Sequence, residues 1–250
     1  MDSVRVSYER LEDRMRARAE SDGAVFLPNP EPQGRVEYVF VCMEPSLGTW
    51  AKSPRDARAK VASGFRNFLS SPEDFLLHFC ARRYLCRPGE RYHLTDLSKG
   101  AMLVADARAG QAERYERWWP LLREELELLA APGAQVVAVG RAVFEELQRR
   151  QLGWPLTQVI HYSPLAGKAR NDAVAGREEE FDRFRRTVCL EDIVASAEAA
   201  LAASGVPEAF CEQALARLRT SELTPSRKKL VFGYKMAFEV VRRGLPERHR

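Results

Sequence analysis

A three-layer α/β/α sandwich with a central, mainly parallel four-stranded sheet and a C-terminal helical extension is the fold class that this sequence predicts. Three observations carry the prediction. Short apolar, β-branched runs alternate with longer helical patterns, as in an α/β layer architecture. The first run, Val36 to Met43, is apolar almost without interruption, as a strand covered on both faces requires. Beyond residue 190 the strand signal ends and only helical spacing continues, which divides the chain into an α/β domain over residues 1–189 and a basic helical extension over 190–250.

Tyr8, Leu11 and Met15 stand at helical spacing among charges, so residues 4–20 read as an amphipathic helix. Asn29-Pro30-Glu31-Pro32-Gln33-Gly34 breaks the chain before the first strand. Ser71-Pro72-Glu73 opens a helix: Ser71 caps it, Pro72 suits the first turn, and Phe75, Leu76, Phe79 and Tyr84 supply the buried face. Tyr92 to Leu97 is the second strand. Gln111 to Ala130, with Tyr115, Trp118, Leu122 and Leu126, is a helix that Pro120 is expected to kink. Ala134 to Gly140 is the third strand and runs into a helix at Arg141 to Arg150, and Thr157 to His161 is the fourth. Ile193, Ala197 and Leu201, then Phe210, Leu215 and Leu218, and finally Lys229 to Arg243 continue as helices.

The composition bounds the function. Hydrophobic residues make up 45% of the chain and charged residues 30%, which is a globular balance. No apolar run approaches the about 20 residues that span a bilayer, and the charged N-terminus does not read as a secretory signal, so a cytoplasmic location with no membrane partner is expected. Five scattered cysteines without a Cys-x-x-Cys pair indicate neither a disulfide framework nor a metal site, and no cofactor is expected. The net charge is only +4, yet residues 217–250 hold ten Lys/Arg against three Glu. That asymmetry fits either a polyanionic partner or a solvated basic helix face.

Two loops that leave strand ends stand out. Cys42-Met43-Glu44-Pro45-Ser46 offers a carboxylate beside a rigid Pro, and His161-Tyr162-Ser163-Pro164-Leu165 offers an imidazole followed by a turn that presents Leu165. Both fall at the carboxyl ends of strands, where α/β sheets place their chemistry. Add Thr95-Asp96-Leu97-Ser98-Lys99 after the second strand and Val137-Ala138-Val139-Gly140 before a helix, and the chain from Val36 to Val188 resembles the uracil-DNA glycosylase superfamily. The final motif differs from that family's His-Pro-Ser-Pro-Leu form only at Tyr162.

The resemblance implies hydrolysis of the bond between a flipped base and its deoxyribose, with double-stranded DNA carrying a modified or deaminated base as the partner of a monomer. Glu44 falls on the position that orients the attacking water, and a carboxylate there also offsets the positive charge that develops on the sugar. His161 matches the residue that donates to the base O2 as negative charge builds on the leaving pyrimidine. Leu165 matches the wedge that fills the gap in the duplex. Phe65, with Phe68 as its rival, is the candidate to stack on the flipped base, and Met43 joins that base-binding set. Ser163, Lys168, Arg170, Ser98 and Lys99 are expected to contact the DNA backbone.

Two positions depart from the uracil readers. Asp96 stands where they place an Asn, and an ionised carboxylate has no donor for O4 of uracil but accepts from the N4 amine of cytosine. The acceptor N3 of cytosine then calls for a protonated N3 or a protonated Asp96. Ser46 stands where several uracil-specific members place a Tyr that excludes substituents on C5. Room at C5 plus a carboxylate for N4 points to a 5-substituted cytosine, such as hydroxymethylcytosine or its glucosylated form in phage DNA, and so to the anti-phage branch of the superfamily. Alternatives are a uracil-DNA glycosylase of base-excision repair, a catalytically silent base-binding module on the same fold, and an unrelated nucleotide-binding α/β enzyme using Gly140-Arg141 at a helix N-terminus. The last lacks any Gly-x-x-x-x-Gly-Lys-Ser/Thr loop.

Overall fold

The computed structural model describes residues 3–48, 50–163 and 166–244. In chain order the first half holds α1 (Ser3–Ser21), β1 (Val25–Phe26), β2 (Val36–Cys42), α2 (Pro54–Ala62), α3 (Pro72–Cys80), a π-helical turn (Ala81–Leu85), β3 (Tyr92–Asp96) and β4 (Gly100–Ala101). The second half holds α4 (Val104–Arg108), α5 (Gln111–Leu129), β5 (Ala130–Val139), α6 (Arg141–Arg149), β6 (Leu156–Val159), α7 (Gly167–Asp172), α8 (Glu178–Phe184), α9 (Leu190–Ala203), α10 (Glu208–Arg219) and α11 (Pro225–Gly244). The main sheet has the order β3-β2-β5-β6 with every neighbouring pair parallel. A two-residue antiparallel pair, β1 with β4, lies apart from it.

Alternation along β2 builds both layers. Tyr38, Phe40 and Cys42 face a core completed by Phe75 and Phe79 of α3, Ile193 and Leu201 of α9, and Phe232 and Phe238 of α11. Val39 and Val41 face the other way, onto Leu122 and Leu126 of α5 and Val143 and Leu147 of α6. Both faces of the strand are therefore dry, which explains its unbroken apolarity. Behind α5, Leu11 and Met15 of α1 pack against Trp118 and Leu121.

Local chemistry sets the helix ends. Ser71 and Asp74 form a reciprocal capping box with Pro72 in the first turn, so α3 begins where its sequence predicts. Ser53 caps α2, accepting from the Asp56 N–H at 3.2 Å. The helix α5 continues through Pro120 from Gln111 to Leu129. No described helix is long and apolar enough to cross a membrane.

The C-terminal helices pack as part of the sandwich rather than beyond it. The Phe238 ring meets Phe40 edge-on at 5.7 Å, and α11 supplies fully buried Leu230, Val231 and Tyr234. Each such side chain is worth about 1.5–3 kcal/mol of burial, so this layer is integral to the fold. Gly233 of α11 admits the chain beside β6, because a Cβ there would lie 2.6 Å from Ile160 Cδ1. The basic surplus of this region is largely engaged within the protein: Arg227 pairs with Glu73 at 2.9 Å, Lys235 with Glu239 at 2.9 Å and Arg219 with Glu198 at 2.7 Å, while Lys229 donates to Asn171 at 2.8 Å. The tail's charge is thus in part held against the protein itself, which differs from a wholly solvated basic face.

Candidate active site at the carboxyl ends of the strands

Three parallel strands deliver the three titratable groups. Glu44 follows β2 by two residues, Asp96 ends β3 opposite Cys42, and His161 follows β6 by two. Parallel order with these registers puts the groups at one edge of the sheet, where Glu44 is close enough to Asp96 to disfavour its ionisation.

Glu44 is held rather than free. Its side chain is 6% exposed, and its Oε2 receives Arg114 Nη2 at 2.8 Å and Nε at 3.2 Å. Gln111 donates to Oε1 at 3.1 Å and also to the Tyr115 hydroxyl at 3.0 Å. Arg114 is 5% exposed and turns its remaining N–H groups onto the carbonyls of Ala107 and Ala109. Both buried charges are thus satisfied, the condition under which such a pair is tolerated. A carboxylate has about four lone-pair sites and three are taken, which leaves Oε1 one position for a water. Gln111 and Arg114 come from the first turns of α5, and no short motif announces them.

His161 is fixed by its own turn. The Ser163 N–H donates to Nδ1 at 2.9 Å, so in the neutral ring the hydrogen sits on Nε2. Burial, with Arg170 nearby, holds its pKa below the usual histidine value, which keeps that neutral form at pH 7. The ring stacks on Tyr162 at 4.9 Å. Gly140 supports it from behind with φ +101°, and a Cβ there would meet His161 Cβ and Cδ2 at 3.1 Å each. Only glycine combines that backbone with that approach. Arg141, next in line, is exposed and pairs with Glu145 at 2.7 Å.

Asp96 is 3% exposed, and Asn67 donates to its Oδ2 at 2.6 Å. Burial pushes the carboxyl well above the usual range, opposed by Lys99 and the Asn67 hydrogen bond and reinforced by Glu125 and Glu44. Burial therefore favours the protonated acid. Beside it, Asn29 is 2% exposed, with its Oδ1 3.5 Å from Asn67 and its Nδ2 without a partner among the described residues. Asn67 and Asn29 also escape a reading of the sequence, since lone Asn residues in loops are ordinary turn formers. The Tyr162 hydroxyl lies beside the Cys42 thiol, and Cys42 pairs with Asp96 across β2 and β3.

Several expected DNA contacts are corrected by burial. Lys99 is 1% exposed and donates to Glu125 Oε1 at 2.5 Å, inside a network with His93, Thr95 and Tyr8, so it cannot face a phosphate. Ser98 is fully buried. Arg170 is 5% exposed; it clamps the carbonyls of Tyr162 and Ser163 and donates to Ser226 Oγ at 2.9 Å, which ties the histidine turn to α11. Lys168 is exposed and pairs with Asp172 at 3.2 Å, and Ser163 is half-buried. Leu165, the expected wedge, lies outside the described residues.

The stacking candidates are both packed against other side chains. Phe65 is covered by Trp50, parallel at 4.4 Å, with Phe210 at its edge at 5.7 Å. Phe68 is 1% exposed at φ +60°, its N–H on Asn67 Oδ1 at 3.1 Å and its carbonyl on His78 Nε2 at 3.0 Å. A bulky residue pinned in that region stores roughly 1–3 kcal/mol, and such outliers cluster at functional sites. Of the two, Phe68 adjoins the Asn67–Asp96 pair. Ser46 donates no bulk toward this region, its carbonyl accepting from Trp50 Nε1 at 2.6 Å, and Met43 contacts Gln111 through its sulfur at 3.8 Å. Compared with protein-family models, with curated proteins and with solved structures, this chain finds no match.

Proposed function

We propose that this protein is a DNA glycosylase that hydrolyses the N-glycosidic bond of a flipped 5-substituted cytosine and leaves an abasic site. The observation that carries the reading is the shared strand-end location of Glu44, Asp96 and His161, each in a form suited to one task. Glu44, an ion-paired carboxylate with one acceptor position left, orients a water and stabilises positive charge on the sugar. His161, neutral with the hydrogen on Nε2, donates to O2 of the departing base. That bond strengthens as the base gains negative charge, so it lowers the barrier more than it tightens ground-state binding.

Asp96 meets the base edge. As a protonated acid it offers an O–H to the N3 acceptor and a carbonyl oxygen to the N4 amine of cytosine; with the proton on its other oxygen it serves O4 and N3–H of uracil equally, so the choice of a 5-substituted cytosine is carried by the room that Ser46 leaves at C5. Phage DNA that carries hydroxymethylcytosine or its glucosylated form is the substrate class this chemistry fits.

A second reading, a base-binding module without chemistry, is favoured by the ion-paired state of Glu44. One experiment separates the two. Duplexes that carry uracil, cytosine, hydroxymethylcytosine or glucosyl-hydroxymethylcytosine are incubated with the protein and scored for alkali-labile sites. Strand breaks at a modified cytosine, lost in Glu44→Gln and His161→Ala with DNA binding retained, are expected. Binding without breaks on any duplex rejects the enzyme, and breaks at uracil alone reject the choice of a 5-substituted cytosine.

A further inference from the structure

A cavity of about 740 Å³ lies not at this edge of the sheet but at the opposite one, beside the amino-terminal ends of β2 and β3. That volume lies within the range of about 300–1,000 Å³ typical of small-molecule sites. Five arginines line it: Arg82, Arg83, Arg87, Arg91 and Arg242. Among the described residues none of the five guanidinium groups lies within 4.0 Å of a carboxylate. Arg91 reaches the Gln33 carbonyl and Arg242 the Tyr84 carbonyl at 3.4 Å. Glu31 and Glu90 also line the cavity, but Glu31 pairs with Arg5 at 3.7 Å, and Glu90 accepts from the Tyr38 hydroxyl at 3.0 Å and the Arg87 N–H at 2.8 Å. Glu37 accepts from the Arg91 N–H at 2.8 Å, and the five arginines still outnumber the carboxylates of the lining, so the field there is positive and favours an anion.

Four of the arginines come from residues 82–91, and two of these, Arg82 and Arg83, stand on the π-helical turn, a feature frequent at functional sites. Apolar lining comes from Pro32, Val36, Leu94, Ala200 and Ala203, of the loop before β2, the two strands and α9, beside the polar Glu31, Gln33 and Ser204 of the same region. Guanidinium forks bind phosphate bidentately, whereas apolar lining suits a flat, weakly polar group. We infer that this cavity binds a nucleoside polyphosphate, its phosphates on the arginines and its base against the apolar lining, at a site separate from the strand-end site and independent of the reaction proposed for it.

Titration calorimetry of the full chain with ATP, inorganic tripolyphosphate and a single-stranded 12-mer, without divalent cations, tests this. The expected result is saturable 1:1 binding of ATP, tighter than tripolyphosphate, and weakened at least about tenfold in Arg82→Ala/Arg83→Ala and separately in Arg87→Glu. Both positions of the double variant are exposed, so its melting curve should match that of the wild type. Arg10→Ala, an exposed charge on α1, should bind ATP as the wild type does. Absence of saturable ATP binding, an equal loss in Arg10→Ala, or binding of the 12-mer alone overturns the site. Equal affinity for ATP and tripolyphosphate overturns the assignment of a nucleoside.

Discussion

Replacing Arg114 with alanine tests most sharply whether Glu44 is a prearranged buried charge. The substitution removes two contacts to Glu44 Oε2, at 2.8 and 3.2 Å, and leaves a carboxylate only 6% exposed with Gln111 as its remaining partner. Breaking one partner out of a buried ion pair costs about 3–5 kcal/mol. For a chain of this size each kcal/mol moves the midpoint by about 2–4 °C, so Arg114→Ala should melt roughly 6–20 °C below the wild type. Adding Glu44→Gln removes the stranded charge and should recover about half of the loss. Recovery is incomplete because the carbonyls of Ala107 and Ala109 still lack the donors that Arg114 supplied, at about 1 kcal/mol each. Thermal denaturation followed by circular dichroism reads all four combinations. A midpoint lowered by less than about 2 °C in the single variant, or no recovery in the double, would refute the account of this pair.

Other outcomes follow from the same geometry. Gly140→Ala should lower the midpoint by roughly 2–12 °C, from about 1–3 kcal/mol of backbone strain at φ +101° and the 3.1 Å approach to His161; an unchanged midpoint argues against that strain. Arg170→Ala should reduce stability but leave the salt dependence of DNA affinity unchanged, because its guanidinium is buried against Tyr162, Ser163 and Ser226; a shallower slope would restore it as a phosphate contact. Asp96 supplies a pH signature. Its folded pKa is raised, so it contributes stability below the unfolded value near 3.9 that is lost as pH rises toward the folded one. The stability of the wild type relative to Asp96→Asn should therefore fall as pH increases above about 4, and a rise measured by urea denaturation over that range would contradict the protonated state.

Much of the architecture is legible because it rests on short-range pattern. The apolar run of β2 and the Ser71-Pro72 start of α3 carry their signals within a few residues, and both elements form where those signals lie. The helix α2 is illegible for a physical reason: it buries only Ala57, so no apolar stripe marks it. The strands β1 and β4 are two residues each and exist only through their pairing. At the candidate site the strand-end residues are readable and their supports are not. Arg114 reaches Glu44 from 70 residues away, Asn67 reaches Asp96 from 29, and each looks locally like an ordinary solvated side chain. Lys99 and Arg170 mislead in the opposite direction, since a basic residue beside a motif looks like a phosphate contact until its burial is known.

The most direct test of the central claim is mass-spectrometric identification of the base released from duplexes that carry hydroxymethylcytosine, glucosyl-hydroxymethylcytosine, cytosine or uracil at one position. The expected product is a free 5-substituted cytosine, with no release by His161→Ala and reduced preference over uracil in Asp96→Asn. Release of uracil alone, or of no base from any duplex, would contradict the claim.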